Sequence, residues 1–589
     1  MSKLSTRLLR WATALTMLTV TFALPLARGN TVVHAASSVG HQSVAHLSYT
    51  GTGSFATASG TSTGAGLRSG PSVDQSVPHT GLAYARVPAA HVPVVSGNAI
   101  ASTNPGFSGF NALSQLDQHQ AGTGSYAGSQ YSLEPPDQAM CQGGGYVVEG
   151  VNDAMRVFDT GGNVLTPATA LNQFFNLAPE VVRPNGPYGD FASDPKCYYD
   201  PGTGHFFLTL LQIDVNPVTG NFGTSSHQLI AVTKTSDPTG KWNLFRFDTT
   251  DDGSNGTPAH AGCPCFGDQP LIGADANGFY VTTNEFSLAG SAFNGAQVYA
   301  MSKIALAAGK LPTVVHIDNI PLAESISYSI QPATTPPGGT YAPNTEYFLS
   351  SLDFSGSLDN RIASWALTGT LTLSNTTPVV SLTSTVLPSE VYGIAPASQQ
   401  KPGALPLGDA YNQKLELLDS NDDRMNQVVF ANNHLYGAVD TVVQTPNGPT
   451  RAGIAYFLVD PTAGAVTAQG YVAVNGENVS YPSIGVNPSG NGVMTFSLVG
   501  PDYYPSTAYA PISANGTVGA VHIAGAGAAP DDGFTGYAIF GGGRVARWGD
   551  YSSAVAGSDG SIWMAQEYIP NAPRTFYANW GTYISHVSL

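Results

Sequence analysis

Acidic residues recur at matching positions in hairpin-like segments of this 589-residue sequence, where two apolar runs flank a turn of Gly, Asn or Asp. Asp268 and Glu285 are equidistant from the turn at residues 276–277, and Asp550 and Glu567 are equidistant from the turn at residues 558–559. Residues equidistant from the turn of an antiparallel hairpin lie opposite each other and point to the same face. The sequence therefore predicts two pairs of neighbouring carboxylates, each at the open end of its hairpin.

Such carboxylate pairs can serve chemistry or structure. Two carboxyl groups on one face could bind a cation, or act as general acid and base on a glycosidic bond. Opposed like charges are unfavourable unless a cation, an arginine or a shared proton intervenes. The same returning-strand position holds Asp353 and Asp440. This recurrence favours a structural role, in which each acid accepts a hydrogen bond from an adjacent repeat, because one active site does not need a residue from every repeat.

Three arginines could bind a carboxylate substrate if they converged. These are Arg361, Arg424 and Arg547. Arg424 and Arg547 lie close in the chain to two of the acids, which favours ion pairs instead. We therefore group Arg424 and Arg547 with Asp353 and Asp440 as candidate binding residues.

A metal site is suggested by the cluster of His260, Cys263 and Cys265. A structural zinc site needs four ligands, a catalytic site needs three and a water molecule, and in an oxidising compartment a disulfide is the commoner fate of two cysteines. The oxygen-rich run at residues 248–256 does not match the spacing of a calcium-binding EF-hand loop. We expect no metal at the Cys/His cluster and no required cofactor, with calcium as the cation that the acids would admit.

The four cysteines suggest disulfide bonds. Cys141 follows Asp137 by four residues and Cys197 follows Asp194 by three, so they lie at nearly the same height in the first strands of neighbouring repeats. Their opposite parity lets them face each other between two repeats. We expect a Cys141–Cys197 bond, which leaves Cys263 and Cys265 to pair with one another or to remain reduced.

The hairpins are units of a repeat. Six segments align on a first strand, a turn and a returning strand, and a weaker seventh ends at Asp353. Each hairpin is followed by a third strand and several by a fourth. Units of three or four antiparallel strands, about seven in number, predict an all-β fold, a β-propeller over residues 136–589. Six blades, or another tandem all-β array such as a pair of β-sandwiches, are the alternatives.

The segment before the repeats has a different composition. Lys3, Arg7 and Arg10 precede an apolar run over residues 11–26, and a small-residue cleavage pattern ends at Ala35. This predicts a signal peptide over residues 1–35, with an uncleaved anchor as the alternative. Residues 36–135 are rich in Ser, Gly and Thr and predict a flexible leader, in which a short strand at 106–116 or 131–133 docks on the repeats.

The net charge of −17 and the absence of a Lys/Arg cluster argue against nucleic-acid binding. No second hydrophobic 20-mer follows the signal peptide, so we expect no membrane span in the mature chain. The expected location is extracellular.

Residues 137–589 resemble secreted bacterial β-propeller proteins with sialidase-like blades. The resemblance concerns the scaffold, because the Asp-box of sialidases (S-x-D-x-G-x-x-W) is not matched. The nearest segment runs from Ser558 through Asp559 and Gly560 to Trp563 and lacks both spacer residues before the glycine. The resemblance implies a propeller scaffold, and the departure from the motif puts sialidase activity in doubt.

We expect a secreted protein that binds an extracellular polysaccharide or protein ligand. The alternative is an exo-acting, sialidase-like glycoside hydrolase that uses Asp268, Glu285, Asp550 and Glu567 as catalytic residues at one rim of the central channel. A redox enzyme with a metal at the Cys/His cluster is a third interpretation. A hydrolase predicts two carboxyl groups about 5 to 9 Å apart in an open pocket. A binding protein predicts acids held by backbone hydrogen bonds and a shallow aromatic surface.

Overall fold

Runs of Val, Ile, Phe and Tyr bounded by Gly, Asn and Pro favour short strands, because branched and aromatic side chains fit a pleated surface and the bounding residues fit tight turns. In the computed structural model, which describes residues 38–57, 91–183, 186–323, 325–352 and 358–589, these runs are β-strands. The signal peptide predicted over residues 1–35 lies outside the described residues.

The strands of the repeat region pair with their neighbours along the chain into antiparallel sheets, which we call sheets A to G. In sheets A to D the strands are, for sheet A, Ala139–Gly143, Tyr146–Val151, Ala154–Asp159 and Thr169–Ala170; for sheet B, Phe191–Asp200, His205–Val215, Phe222–Thr233 and Trp242–Asp248; for sheet C, Cys265–Ala274, Gly278–Ser287, Phe293–Ser302 and Val314–Asp318; and for sheet D, Gln331–Thr334, Thr345–Ser351, Asp359–Thr368 and Ser381–Tyr392. In sheets E to G they are, for sheet E, Val428–Ala431, His434–Gln444, Thr450–Asp460 and Ala465–Val472; for sheet F, Asn478–Val486, Gly492–Val499, Ser506–Ile512 and His522–Gly525; and for sheet G, Ser553–Ala556, Ile562–Tyr568 and Gly581–Val587.

Three further strands come from the segment that composition predicts to be flexible. Phe107–Ser114 pairs with Gly581–Val587 and becomes the fourth strand of sheet G. His41–Ala45 and Ser48–Gly53 add a fifth strand to sheets C and B. The described part of residues 36–135 therefore departs from a flexible leader, because its strands are hydrogen-bonded at sheet edges and Phe55, Leu113 and Tyr131 are buried in the apolar core. The strand expected at 106–116 is present.

The first strands of the sheets contact one another in chain order, and the first strand of sheet G contacts that of sheet A. One cavity is lined by a residue from every first strand: Met140, Cys197, Ile272, Thr334, Val428, Val486 and Ala554. The sheets are thus arranged around a central channel, as in a β-propeller.

The apolar core is divided among the spaces between adjacent sheets. Phe207 of sheet B packs on Phe279 of sheet C with ring centroids 5.0 Å apart. Separate apolar clusters lie between each of the other neighbouring sheets, including the cluster of Met140 and Trp563 between sheets A and G. Packing therefore continues from the last sheet to the first.

Helices are short and lie in the connections. The α-helices are Gln115–His119, Leu171–Phe174, Lys303–Ala307 and Pro406–Ala410, and the 3₁₀ turns are Gly124–Tyr126, Thr370–Ser374, Phe534–Gly536 and Ala538–Phe540. The remaining two-residue strands are Pro321–Leu322, paired with Ser325–Ile326, and Leu417–Leu418, paired in parallel with Val545–Ala546. Within the described residues, no helix has the length and apolar character needed to cross a membrane.

The expected Cys141–Cys197 disulfide bond is present, and of the two alternatives for Cys263 and Cys265 the structure has the disulfide bond. Cys141 and Cys197 join the first strands of sheets A and B, with Cα atoms 5.3 Å apart. Cys263 and Cys265 pair with each other immediately before sheet C, with Cα atoms 4.5 Å apart.

Candidate functional site

The first strands share a kink near their starts. Asp194, Gln269 and Tyr481 have positive φ values of 59°, 48° and 59°, and the pairing register shifts by a bulge at each. Asp137, just before sheet A, has a φ of 47°. Bulges bend a strand and redirect its side chains. These bulges lie near the starts of the first strands, at the end of the channel where the connection from each sheet enters the next sheet. We call this end the upper face.

Four aspartates gather at the upper end of the channel, one each from sheets A, B, C and G. Asp137 accepts hydrogen bonds from the backbone N–H of Asp550 (2.6 Å) and from Nδ2 of Asn152 (2.8 Å). Burial, with the charge of Asp550 second, raises the pKa of Asp194 to about 6. Burial, followed by the charges of Asp194 and Asp550, raises the pKa of Asp268 well above its usual range. Each of these acids therefore lies within the electrostatic field of others.

Three basic side chains join these acids. The Lys196 ammonium lies 3.0 Å from the ring centroid of Tyr551, and burial lowers its pKa to about 7. Arg424 binds both oxygens of Asp422 at 2.7 and 2.8 Å and also donates to Oε1 of Gln269 at 2.7 Å. Arg547 Nη2 lies 3.4 Å from Oδ2 of Asp550.

We call this group the central cluster; it consists of Asp137, Asp194, Lys196, Asp268, Asp422, Arg424, Arg547 and Asp550. The candidate residues Asp268, Asp550, Arg424 and Arg547 are all members, and all four are partly exposed. The structure therefore brings together half of the eight candidate residues.

The expected carboxylate pairs are wrong. Asp268 is paired with Asn284, and Glu285 is paired with Gly267, so the two acids are one register position apart. The bulge at Gln269 inserts an unpaired residue that a count from the turn does not include. In sheet G, Ser553 pairs with Ala565, Asp550 precedes the strand and Glu567 pairs with Thr582 of the third strand. Asp550 and Glu567 are therefore not cross-strand partners in the sheet.

Asp440 has the structural role that the recurrence of acids suggested. Its Oδ1 accepts the backbone N–H of Tyr481 in the next sheet at 2.7 Å. The same contact is made by Asn152 to Asp194 (3.2 Å) and by Asn284 to Ser329 (2.9 Å). The residue that donates the N–H group has a positive φ in all three contacts. These side chains, which we call inter-sheet clamps, tie sheets A to B, C to D and E to F.

Two other candidates have separate outcomes. Asp353 lies outside the described residues. Arg361 does not join the central cluster's ion pairs; its Nη2 binds Oδ2 of Asp359 at 2.8 Å.

Glu285 belongs to a second buried group, which we call the His260 cluster. Both Glu285 oxygens lie near Nδ1 of His260, at 2.9 and 3.0 Å, and Asn294 Nδ2 donates to Oε1 at 2.6 Å. Asp251 Oδ2 is 3.9 Å from His260 Nδ1, and Asp318 Oδ2 is 3.7 Å from His260 Nε2. Burial opposes charge on His260, but the nearby carboxylates of Asp318 and Glu285 raise its pKa to about 10. Burial and then Glu285 raise the pKa of Asp251 to about 10.

An aromatic surface forms on the upper face from three connections. Tyr411 and Phe576 are 40% and 54% exposed, and their ring centroids lie 6.2 Å apart. Phe540 packs edge-on against Tyr411 at 5.1 Å and against Tyr577 at 6.2 Å. We call these four rings the aromatic patch.

Buried Asp532 supports the patch from beneath. Its carboxylate accepts the backbone N–H groups of Leu407 and Gly408 at 2.7 and 2.9 Å, and the Tyr537 hydroxyl at 2.7 Å. Arg574 pairs with the same carboxylate at 2.8 Å. The connections that carry the patch are thus held by one charged hub.

Sequence reasoning missed Asp137, Asp194, Lys196 and the aromatic patch as site residues. Asp137 and Asp194 had a usable signal, because each begins an aligned repeat at the same position as Asp268 and Asp550. The patch had none, because Tyr411, Phe540 and Phe576 come from separate connections that only the folded chain brings together.

Comparisons with known proteins give no family. No protein-family model and no curated protein matches the chain. Among solved structures, a protein of unknown function from Dyadobacter fermentans DSM 18053 is 12% identical, covering 69% of this chain and 97% of its own, with a TM-score of 0.30. The phage phi92 endosialidase is 9% identical (67% and 66% covered, TM-score 0.31), and Trypanosoma rangeli sialidase is 8% identical (77% and 60% covered, TM-score 0.32). At these scores the similarities carry no argument about function.

Proposed function

We propose that this chain is an extracellular glycan-binding protein, a seven-bladed β-propeller that takes its ligand on the upper face. The observation that carries the proposal is the partly exposed aromatic patch, on the same face as the partly exposed charged groups of the central cluster. The two disulfide bonds support an extracellular location, because such bonds persist in oxidising compartments.

The aromatic patch fits the apolar part of a sugar ring. Aromatic side chains provide a large rigid contact area at low conformational cost, and the C–H face of a pyranose stacks on such rings. Tyr411 and Phe576 expose about half of their surface although they contact each other and Phe540 and Tyr577. A preformed set of rings therefore faces solvent.

The central cluster fits the hydroxyl groups of the same ligand. Carboxylates accept hydrogen bonds from hydroxyls, and a guanidinium group donates several bonds in a fixed plane. Asp268, Asp550 and Arg547 are partly exposed at the channel mouth. Arg547 lies in the connection between sheets F and G that also carries Phe540 of the patch. Aromatic and polar contacts thus share one supporting connection.

A glycan-array screen tests the proposal. Protein spanning residues 38–589 is applied to neutral and acidic glycans, and we expect saturable binding to a restricted set. Binding to none of them, or binding that survives unfolding of the protein, would contradict the proposed function.

Hydrolysis at the central cluster is the second candidate. The observation that favours it is the raised pKa of the partly exposed Asp268, since a protonated carboxyl group can act as a general acid. The array ligand should be incubated with the protein and analysed for shorter products by chromatography. Intact ligand supports binding alone. Cleavage that is lost in Asp268→Asn while ligand binding persists would establish the hydrolase.

A further inference from the structure

The His260 cluster lies apart from the central cluster and is not used by the proposed function. It joins residues from several elements: Asp251 and His260 in the connection between sheets B and C, Glu285 in the second strand of sheet C, and Asp318 at the end of its fourth strand. Asp251, Glu285 and Asp318 are each at most 2% exposed. Three carboxylates therefore surround one imidazole away from water.

The ligand atoms are close enough to hold one ion. His260 Nδ1, one oxygen of Asp251 and one of Glu285 all lie within 4.8 Å of one another. Donors about 2 Å from a metal ion are at most about 4 Å apart. The distances from His260 Nδ1 to Glu285 (2.9 Å) and to Asp251 (3.9 Å) meet that limit.

Asp251 has no other partner for its carboxylate. It is 1% exposed, and within the described residues neither oxygen accepts a hydrogen bond from an N–H or O–H group. Buried polar atoms without partners are rare in folded proteins. Its Oδ2 instead lies 3.9 Å from His260 Nδ1, so the carboxylate is directed into the cluster.

The neighbours of the three ligands orient them. Asn294 Nδ2 donates to Glu285 Oε1 at 2.6 Å and to the carbonyl of Ala261 at 3.1 Å, which fixes that carboxylate. Asp318 lies on the other side of His260, 3.7 Å from Nε2. That distance is longer than a hydrogen bond, and within the described residues Nε2 has no hydrogen-bond partner, so Asp318 adds negative charge beside the imidazole without fixing its tautomer.

Among the described residues, the basic side chains near the cluster do not match the number of its carboxylates. His41 Nδ1 lies 3.1 Å from Asp318 Oδ2, and His316 Nε2 lies 3.0 Å from Oε1 of Gln297. The hydroxyl of Tyr299 is a buried neutral neighbour. His41 and His260 thus lie beside three carboxylates, so the cluster holds more acidic than basic side chains.

A small cavity lies beside the cluster. Its lining includes Asp251 and His316, together with His46, Asp248 and Asn255. Asp251 therefore borders both the cluster and this cavity.

The donor set indicates the class of ion. One imidazole nitrogen with two carboxylates is typical of Zn²⁺ and other divalent transition metals, whereas Ca²⁺ and Mg²⁺ take oxygen ligands alone. Cys263 and Cys265 are bonded to each other and are not available as thiolate ligands. The sequence analysis grouped these cysteines with His260 and predicted no metal. Asp251 lies in the oxygen-rich run at residues 248–256, which was considered separately, and Glu285 lies 25 residues after His260.

We propose that Asp251, His260 and Glu285 bind one divalent transition-metal ion, with Zn²⁺ as the preferred species. The ion neutralises the buried carboxylates and ties the connection between sheets B and C to the strands of sheet C.

The test is a zinc titration of purified protein stripped with a chelator, with bound zinc measured by mass spectrometry after gel filtration. We expect one zinc per chain in the wild type. Asp251→Asn should weaken binding by more than about 100-fold, since even supporting residues of metal sites contribute 10- to 100-fold. The matched control is Asp252→Asn, because Asp252 is the exposed neighbour whose carboxylate accepts the Ser254 N–H at 2.8 Å. It should bind zinc like the wild type.

Wild-type protein that binds no stoichiometric zinc would overturn the site and leave a proton shared by Asp251 and Glu285. Equal affinity in Asp251→Asn and the wild type would also overturn it. X-ray absorption at the zinc edge is measured on the zinc-loaded wild-type protein. It therefore tests the site even if Asp251→Asn does not fold. A shell of nitrogen and oxygen alone supports the site, and sulfur in that shell contradicts it.

Discussion

At the scale of the residue, the junctions between neighbouring sheets depend on single side-chain oxygens. Asn152, Asn284 and Asp440 each accept the N–H of a residue in the next sheet whose φ is positive. A positive φ is uncommon outside glycine, and most of all for a residue as bulky as Tyr481. At Asp194 and Tyr481 the clamp gives a partner to an N–H group that the bulge removes from the regular pairing.

Asp440 provides a test of the clamp. Asp440→Ala should lower the free energy of unfolding by about 1 to 3 kcal/mol, because the buried N–H of Tyr481 loses its acceptor. Asp440→Asn keeps an oxygen at this position, as Asn152 and Asn284 do naturally, and should retain most of the stability. Denaturant unfolding followed by fluorescence measures both. Equal stability of the Ala and Asn variants would show that the clamp is unimportant.

The pairing partner of Asp268 was also predicted wrongly, by one position along the strand. Counting from the turn placed Glu285 opposite Asp268, whereas the structure places Asn284 there. Asn284 then forms the clamp, and Glu285 points into the His260 cluster. A bulge changes the side-chain alternation of a strand. Its sign in the sequence is Pro270, which has no N–H group to donate to the pairing and which the count from the turn did not consider.

At the scale of the element, sheet G is completed by a strand from far earlier in the chain. Phe107–Ser114 pairs along Gly581–Val587, and Glu149 of sheet A accepts the N–H of Leu113 at 2.9 Å. The Thr582 hydroxyl donates to the same Glu149 carboxylate. One strand therefore joins the last sheet to the first, where the ring of sheets closes.

This closure predicts two different outcomes of truncation. A chain that begins at residue 91 loses the fifth strands of sheets B and C, and should still unfold cooperatively at a somewhat lower temperature. A chain that begins at residue 115 also loses Phe107–Ser114 and leaves Glu149 buried without its backbone partner, so it should not form a stable fold. Circular dichroism during heating measures both. Similar melting of the two chains would contradict the closure.

Some strands and connections could be predicted from the sequence, and others could not. Strand runs, their grouping into repeats and the Cys141–Cys197 bond follow from local composition, spacing and parity. The strands at residues 41–53 were missed because an edge strand needs backbone pairing more than apolar side chains. The aromatic patch was missed because its rings come from connections whose approach depends on the whole ring of sheets.

At the scale of the whole molecule, buried carboxyl groups set the response to pH. Burial is the largest cause that raises the pKa of Glu149 to about 7, Glu180 to about 8, Asp194 to about 6 and Asp531 to about 7. Each folded pKa exceeds the unfolded value, so the folded state binds more protons between the two values. The free energy of unfolding then falls as pH rises through that window.

We therefore expect the melting temperature to fall between pH 5 and pH 7 at constant ionic strength. His227, His316 and His586 oppose this change, because burial lowers their pKa values and favours folding as pH rises, but more carboxyl groups than histidines are shifted. Glu149→Gln removes one titrating group and should reduce the slope. A melting temperature that is constant or rises from pH 5 to pH 7 would contradict this prediction.

The central claim is that the upper face binds a glycan through the aromatic patch. Calorimetric titration of the oligosaccharide selected by the array tests it most directly, with Tyr411→Ala and Phe576→Ala compared against Tyr49→Ala, an exposed tyrosine on an outer strand of sheet B. We predict that each patch variant loses affinity by about 30-fold, the effect of removing a contact worth about 2 kcal/mol. Tyr49→Ala should bind like the wild type. Unchanged affinity in both patch variants would contradict the account.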